Sequence, residues 1–166
     1  EQRQTIISLI PKPGKSSNNI NNLRPISLSN CDIKLITKTL SRRISNIQYL
    51  FSQTQGAYLK NRRISDNINL INYIMEYTDR NEIPAYLVSL DATKAFDSVD
   101  HEFMWKVLGR FGFGDGFISI CKMLYKDITA EVMLNGNRLS KFIIEKGVKQ
   151  GDALSCVLFI LCIEIL

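Results

Sequence analysis

The chain has 166 residues, 45% of them hydrophobic and 22% charged, with a formal net charge of +5 and a pI near 9.1. That is enough apolar material for one compact domain, and too ordinary a charge content for a disordered chain. The basic excess fits a polyanionic partner such as nucleic acid, and no apolar run reaches the roughly 18 residues of a membrane span.

In chain order, residues 4–10 (QTIISLI) are rich in β-branched residues and predict a strand. A Pro/Gly/Ser/Asn loop follows over 11–22 and carries Lys12 and Lys15. Residues 23–28 (LRPISL) form a second extended piece, stiffened by Pro25, and the two pieces are expected to pair as a hairpin. From Cys31 to Phe51, Ile33, Ile36, Leu40, Ile44, Ile47 and Phe51 recur at helical spacing, with Asn30 or Asp32 near the start. After a polar stretch, Ile64, Ile68, Ile71 and Met75 share one face of a second helix that ends near Arg80.

Pro84 resets the chain. Residues 85–90 (AYLVSL) alternate too little for a strand with one wet face and predict a central strand covered on both sides. Asp100 suits the N-cap of a helix through Arg110, and Gly112 suits its end. A helix over 115–126 precedes a β-hairpin whose Asn135-Gly136 pair favours a type I′ turn. Residues 147–152 then form a loop that opens an apolar terminal helix. There is no internal repeat, and the mixed order gives an α+β or α/β class.

Four cysteines, at 31, 121, 156 and 162, make no C-x-x-C pair, and His101 is the sole histidine, which disfavours a structural zinc site. Their apolar or helical settings suit reduced thiols of an intracellular protein. Glu1 is not an initiator methionine and the terminal apolar helix lacks a stop signal, so the chain is expected to be a piece of something longer. PKPGKS is not a P-loop, because Leu9 stands where that motif needs glycine. A serine hydrolase is disfavoured by the lack of G-x-S-x-G.

Asp91 stands at the end of the apolar segment 85–90. Burying an unpaired carboxylate is costly. A bound cation offsets that cost, and Mg²⁺ prefers carboxylate, water and phosphate oxygens. Capping of the next turn is the plainer use of the same acid.

Five motifs occur in one order: LIPKPGK, LRPISL, QGAYLKNRRISDNI, SLDATKAFDSVDH and GVKQGDALSCVLF. In that order and spacing they resemble the reverse transcriptases of non-LTR (LINE-type) retrotransposons and, more distantly, those of group II introns. The resemblance covers essentially the whole chain. It implies an α+β right-hand polymerase, with fingers-side structure over 1–83 and partial palm over 84–166. The implied reaction is RNA-templated addition of dNTP to the 3′-OH of a DNA primer, with release of pyrophosphate.

The resemblance also implies site residues. Asp91 and the carbonyl of Ala92 would be ligands to two Mg²⁺ ions, which Mn²⁺ could replace. Arg24 and Lys12, with Lys15 as a weaker match, would grip the triphosphate. Phe96 would be the steric gate against a 2′-OH. Gln150 and Gly151 would pack against the nascent base pair and template, and Arg62 or Arg63 would touch template phosphate. Asp97, Asp100 and His101 are read as structural, and Lys94 as near the site rather than in it.

Two departures from the family pattern stand out: Cys156 replaces a usual proline, and Gln55-Gly56-Ala57-Tyr58 replaces a usual Gln-x-Gly-Phe. The family's Tyr-x-Asp-Asp hairpin lies beyond the Gln-Gly helix, so the 166 residues alone are expected not to polymerise. The rival reading is a non-catalytic retroelement relic or an RNA-binding module. The expected setting is intracellular, in nucleus or cytoplasm, with no membrane partner.

Overall fold

A computed structural model describes residues 4–44 and 46–165. The strand β1 (Gln4–Pro11) pairs antiparallel with β2 (Leu23–Leu28), with Leu9 opposite Pro25 and Ile10 opposite Arg24. This is the expected hairpin. On its other side β1 runs parallel to β3 (Thr129–Leu134). Two short strands, β4 (Asn137–Arg138) and β5 (Phe142–Ile143), both pair antiparallel with β3. The spatial order β2-β1-β3-β4 leaves β2 at an edge, where Pro25 costs no ladder bond. Asn135 (φ 51°) and Gly136 (φ 80°) take the paired positive angles of the type I′ turn.

The helices pack beside this mixed sheet. They are α1 (Cys31–Ile44), α2 (Ile64–Arg80), the single turn α3 (Ala95–Ser98), α4 (His101–Arg110), α5 (Asp115–Tyr125) and α6 (Ala153–Ile163). The last is apolar around most of its circumference and supplies the centre of the core: Leu154, Leu158, Ile160 and Leu161 are almost fully buried. Met104 and Leu108 of α4, Cys121 and Tyr125 of α5, and Leu40 and Ile44 of α1 close around it. Asp100 caps α4 as expected, accepting from the Phe103 N–H at 2.8 Å. Because β1 pairs with β3 and α1 packs on α6, residues on either side of position 83 share one sheet and one core.

Two expectations are corrected. The first helix stops at Ile44 rather than at Phe51, and the chain continues as a 3₁₀ turn at Gln48–Leu50. Phe51 is buried regardless, and Ile47 and Leu50 pack on the core, so the apolar spacing was tertiary burial rather than a continuing helix. The second correction is larger. Residues 85–90 form no strand and are exposed, Tyr86 at 94% and Leu90 at 91%. None of the five strands of the sheet includes them, so the apolar run has no strand partner among the described residues. The α2 face carrying Ile64, Ile68 and Met75 is exposed as well.

Candidate functional site

Three stretches distant in sequence meet beside the outer edge of β2. The N–H of Ser27 donates to the carbonyl of Gln150 at 3.0 Å, so the loop over 147–152 takes up a donor that the edge strand would otherwise leave unpaired. The other side of this loop is tied to α3. Gly147 N–H donates to the Val99 carbonyl at 2.7 Å, and Val148 N–H to the Phe96 carbonyl at 2.8 Å. His101 Nε2 lies 2.8 Å from the Gly147 carbonyl, an acceptor, so Nε2 carries the proton. Gly147 has φ +89°, and a Cβ there would sit 2.9 Å from the Asp97 Cα, an approach only glycine permits.

These ties set two adjoining cavities. One, of about 520 Å³, is lined by Lys12, Arg24, Lys94, Asp97 and Gln150 among others. The other, of about 260 Å³, is lined by Tyr58, Phe96, Gly151 and Cys156, and shares Lys94 and Gln150 with the first. Lys12 is steadied by donating from Nζ to the Asn21 carbonyl at 2.9 Å. Among the described residues, the Arg24 guanidinium makes no hydrogen bond or ion pair. Among the described residues the larger cavity therefore carries three cations against the single carboxylate of Asp97. A guanidinium fork and two ammonium groups on one concave wall suit a phosphate-bearing ligand.

Phe96 is held as a rigid wall of the smaller cavity. Its ring stacks on Phe159 at 4.4 Å between centroids and meets Tyr58 edge-on at 6.1 Å. Burial raises the Tyr58 hydroxyl and the Cys156 thiol above their usual ranges, so both are protonated at neutral pH.

A polar network supports the loop from below. Asp152 caps α6, its Oδ2 accepting from both the N–H and the Oγ of Ser155 at 3.2 Å. The Tyr125 hydroxyl lies 3.0 Å from the same Oγ. Burial pushes the Tyr125 hydroxyl far up and the Lys149 ammonium down, the latter opposed by nearby Asp152.

The structure thus brings Lys12, Arg24, Phe96, Gln150 and Gly151 together, and does not bring Asp91 or Ala92 to the same walls. Asp91 is exposed and has no hydrogen-bond or ion-pair partner among the described residues. Ala92 borders a separate apolar cavity with Phe103, Phe159 and Cys162. Arg62 is turned into its own loop: its guanidinium donates to the carbonyls of Ser52, Gln55, Gln48 and Phe51. Arg62 thus braces its own loop, and the cavities carrying Lys12, Arg24 and Gln150 do not include it. Lys94, expected near the site, and Asp97, read as structural, both line the larger cavity. Their signal was their place inside the Asp91 motif, three and six positions on from Asp91.

The donor set does not fit a complete metal site. Among the described residues no group of three His, Cys, Asp or Glu side chains could hold an ion. Asp91 and the Ala92 carbonyl supply two protein oxygens, without the second carboxylate that a two-ion site needs. Nor is any described helix long and apolar enough to cross a membrane.

The family described as "Reverse transcriptase (RNA-dependent DNA polymerase)" matches residues 10–166. The chain is 32% identical over 163 residues to the "Transposon TX1 uncharacterized 149 kDa protein" of Xenopus laevis, covering 98% of this chain and 12% of that protein. It is 32% identical over 154 residues to a Pol polyprotein from a type-1 retrotransposable element R2 of Popillia japonica, covering 92% and 21%. It is 27% identical over 141 residues to the Pol polyprotein from the type-2 element R2DM of Drosophila melanogaster, covering 85% and 13%. The chain therefore spans between 12% and 21% of the length of these relatives.

Proposed function

The chain belongs to the reverse transcriptase (RNA-dependent DNA polymerase) family, and on that premise we propose that it forms the nucleotide-gripping part of a non-LTR retrotransposon's RNA-directed DNA polymerase. The proposed reaction joins the primer 3′-OH to the α-phosphorus of a dNTP opposite an RNA template, and pyrophosphate leaves. Residues 1–83 act as fingers-side structure and 84–166 as partial palm within one packed body.

The observation that carries this reading is the convergence of Lys12 and Arg24, from the β1–β2 hairpin, on Gln150 and the wall next to Phe96. In this reading Arg24 and Lys12 hold the triphosphate. The stacked ring of Phe96 excludes a 2′-OH. Gln150 and Gly151 lie against the base pair and template.

Reverse transcriptases use divalent metal ions, and Mg²⁺ is the ion proposed, given its preference for carboxylate and phosphate oxygens. Asp91 and the Ala92 carbonyl are this chain's contribution, and further carboxylates would come from outside the described residues. RNA template, DNA primer and dNTP are the proposed partners, and access to the nucleus is part of the same proposal. The exposed carboxylate of Asp91, without a partner among the described residues, favours one second reading, a module that binds RNA without synthesis.

Primer extension by the full-length protein separates the two. Asp91→Ala should abolish synthesis and leave RNA binding near wild type. Arg24→Ala should raise the KM for dNTP by about tenfold, the scale of one lost charged hydrogen bond. A wild-type protein that binds RNA but extends no primer would establish the binding-only reading.

A further inference from the structure

Asp97 is the odd group on the cavity wall. Among the described residues it is the only acid lining the larger cavity, which otherwise carries Lys12, Arg24 and Lys94. A carboxylate there opposes the binding of any phosphate, so its presence calls for an offsetting use. The hydrogen bonds show one: Gln150 Nε2 donates to Asp97 Oδ1 at 3.2 Å.

The chemistry of the pair fixes the amide's orientation. An ionised carboxylate only accepts, so the NH₂ of Gln150 faces Asp97 and the amide oxygen is left as an available acceptor. The backbone of Gln150 is already pinned, because its carbonyl accepts from Ser27 N–H in β2. The remaining freedom of Gln150 is its side chain, and Asp97 is the group that removes it. Both cavities share Gln150, so the rotamer of this one amide shapes both walls.

We propose that Asp97 is a positioning residue of the nucleotide site, its carboxylate holding the Gln150 amide against α3 so that Gln150 meets the incoming nucleotide in one orientation. This rests on the nucleotide-site reading above. Asp97 acts through Gln150 and does not itself touch the nucleotide. Its side chain is separable from the fold, since the loop is also joined to α3 by the Val148–Phe96 backbone bond, to Val99 just past α3 by the Gly147 N–H, and to α4 by His101.

The test uses the full-length protein, with steady-state primer extension at varied dNTP and equilibrium dNTP binding. Four variants are compared with wild type: Asp97→Ala, Asp97→Asn, Gln150→Ala and the double Asp97→Ala/Gln150→Ala. Asp97→Ala should raise the KM for dNTP about tenfold, with a smaller change in kcat. Asp97→Asn keeps an oxygen acceptor and should stay within about threefold of wild type. The double variant should match Gln150→Ala alone, because a residue acting only through Gln150 adds nothing once the amide is gone.

Additive losses in the double variant would overturn the inference. So would an unchanged KM in Asp97→Ala, or an Asp97→Asn variant as impaired as Asp97→Ala, in a protein that extends primers. A wild-type protein that neither extends primers nor binds dNTP would overturn the polymerase reading instead, and this inference with it.

Discussion

Gly147→Ala is expected to be the most damaging small substitution in the loop. Gly147 has φ +89°, and an added Cβ would meet the Asp97 Cα, O and C at 2.9, 3.0 and 3.1 Å. All three are backbone atoms of α3, so no rotamer change can relieve the clash. The left-handed conformation costs a non-glycine residue about 1 kcal/mol, and the forced displacement about 1–3 kcal/mol more. The displacement also lengthens the 2.7 Å bond to Val99 and the 2.8 Å bond from Val148 to Phe96. The total is about 2–4 kcal/mol, or a fall in Tm of roughly 10 °C for a chain of this size. Gly136 supplies the control: its φ is +80°, and an added Cβ would meet nothing within 4 Å. Gly136→Ala should therefore cost only the conformational part, about 1 kcal/mol. Urea unfolding of both variants checks the difference. Equal losses at the two positions would refute the close approach of the loop to α3.

Three further outcomes are expected. Arg62→Ala should cost about 2 kcal/mol by orphaning the carbonyls that its guanidinium ties together, and should open residues 48–63 to limited proteolysis; an unchanged digestion pattern would return Arg62 to solvent. Tyr125→Phe should cost about 1 kcal/mol at neutral pH through the lost bond to Ser155. Because folding raises the Tyr125 hydroxyl above its usual 10.0, the unfolded wild-type chain ionises first and wild-type stability falls above pH 10, so the gap to the variant should narrow there. A gap that stays constant through the alkaline range would contradict the buried hydroxyl. In the full-length protein, Phe96→Val should raise rNTP incorporation by about tenfold or more relative to dNTP, as expected when a wall that rejects one hydroxyl is removed; unchanged sugar selectivity would relieve Phe96 of the gating role.

What could be read from the residues and what could not divides along a physical line. The β1–β2 hairpin, the Asp100 cap, the Asn135-Gly136 turn and the bounds of α2 depend on near neighbours in sequence, and local pattern reported them. Burial of 85–90 depends on a covering element, and an apolar run says that cover is wanted, not that it is present. The stop of α1 at Ile44 was hidden because Ile47 and Phe51 keep their apolar spacing through a 3₁₀ turn. Lys12, Arg24, Phe96, Gln150 and Gly151, which line the two adjoining cavities, were singled out by motif resemblance, since no periodicity distinguishes them. Asp97 was read as structural, and its contact with Gln150, 53 residues away, is one that only tertiary structure reveals. The loop contacts of Arg62 were not legible because the carbonyls it ties are backbone groups, invisible in any side-chain pattern.

The cavity-lining cations and the proposed metal ligand Asp91 differ in how they are held. The cations and Gln150 are fixed by strand pairing and loop bonds internal to the described residues. Asp91 instead follows a segment whose Tyr86, Leu87, Val88 and Leu90 are all exposed. Burying side chains of this size is worth about 1.5–3 kcal/mol each, so whatever element covers the segment gains several kcal/mol and fixes Asp91 in the same event. Hydrogen exchange measures this directly. In the 166-residue chain, amides of 85–90 should exchange at nearly unprotected rates, while β1, paired on both sides, is slow. In the full-length protein the same amides should be slowed by orders of magnitude once another element covers the segment. Protection of 85–90 in the short chain would contradict the exposed segment seen here. Equally fast exchange in the full-length protein would leave Asp91 unanchored and remove it from the catalytic centre.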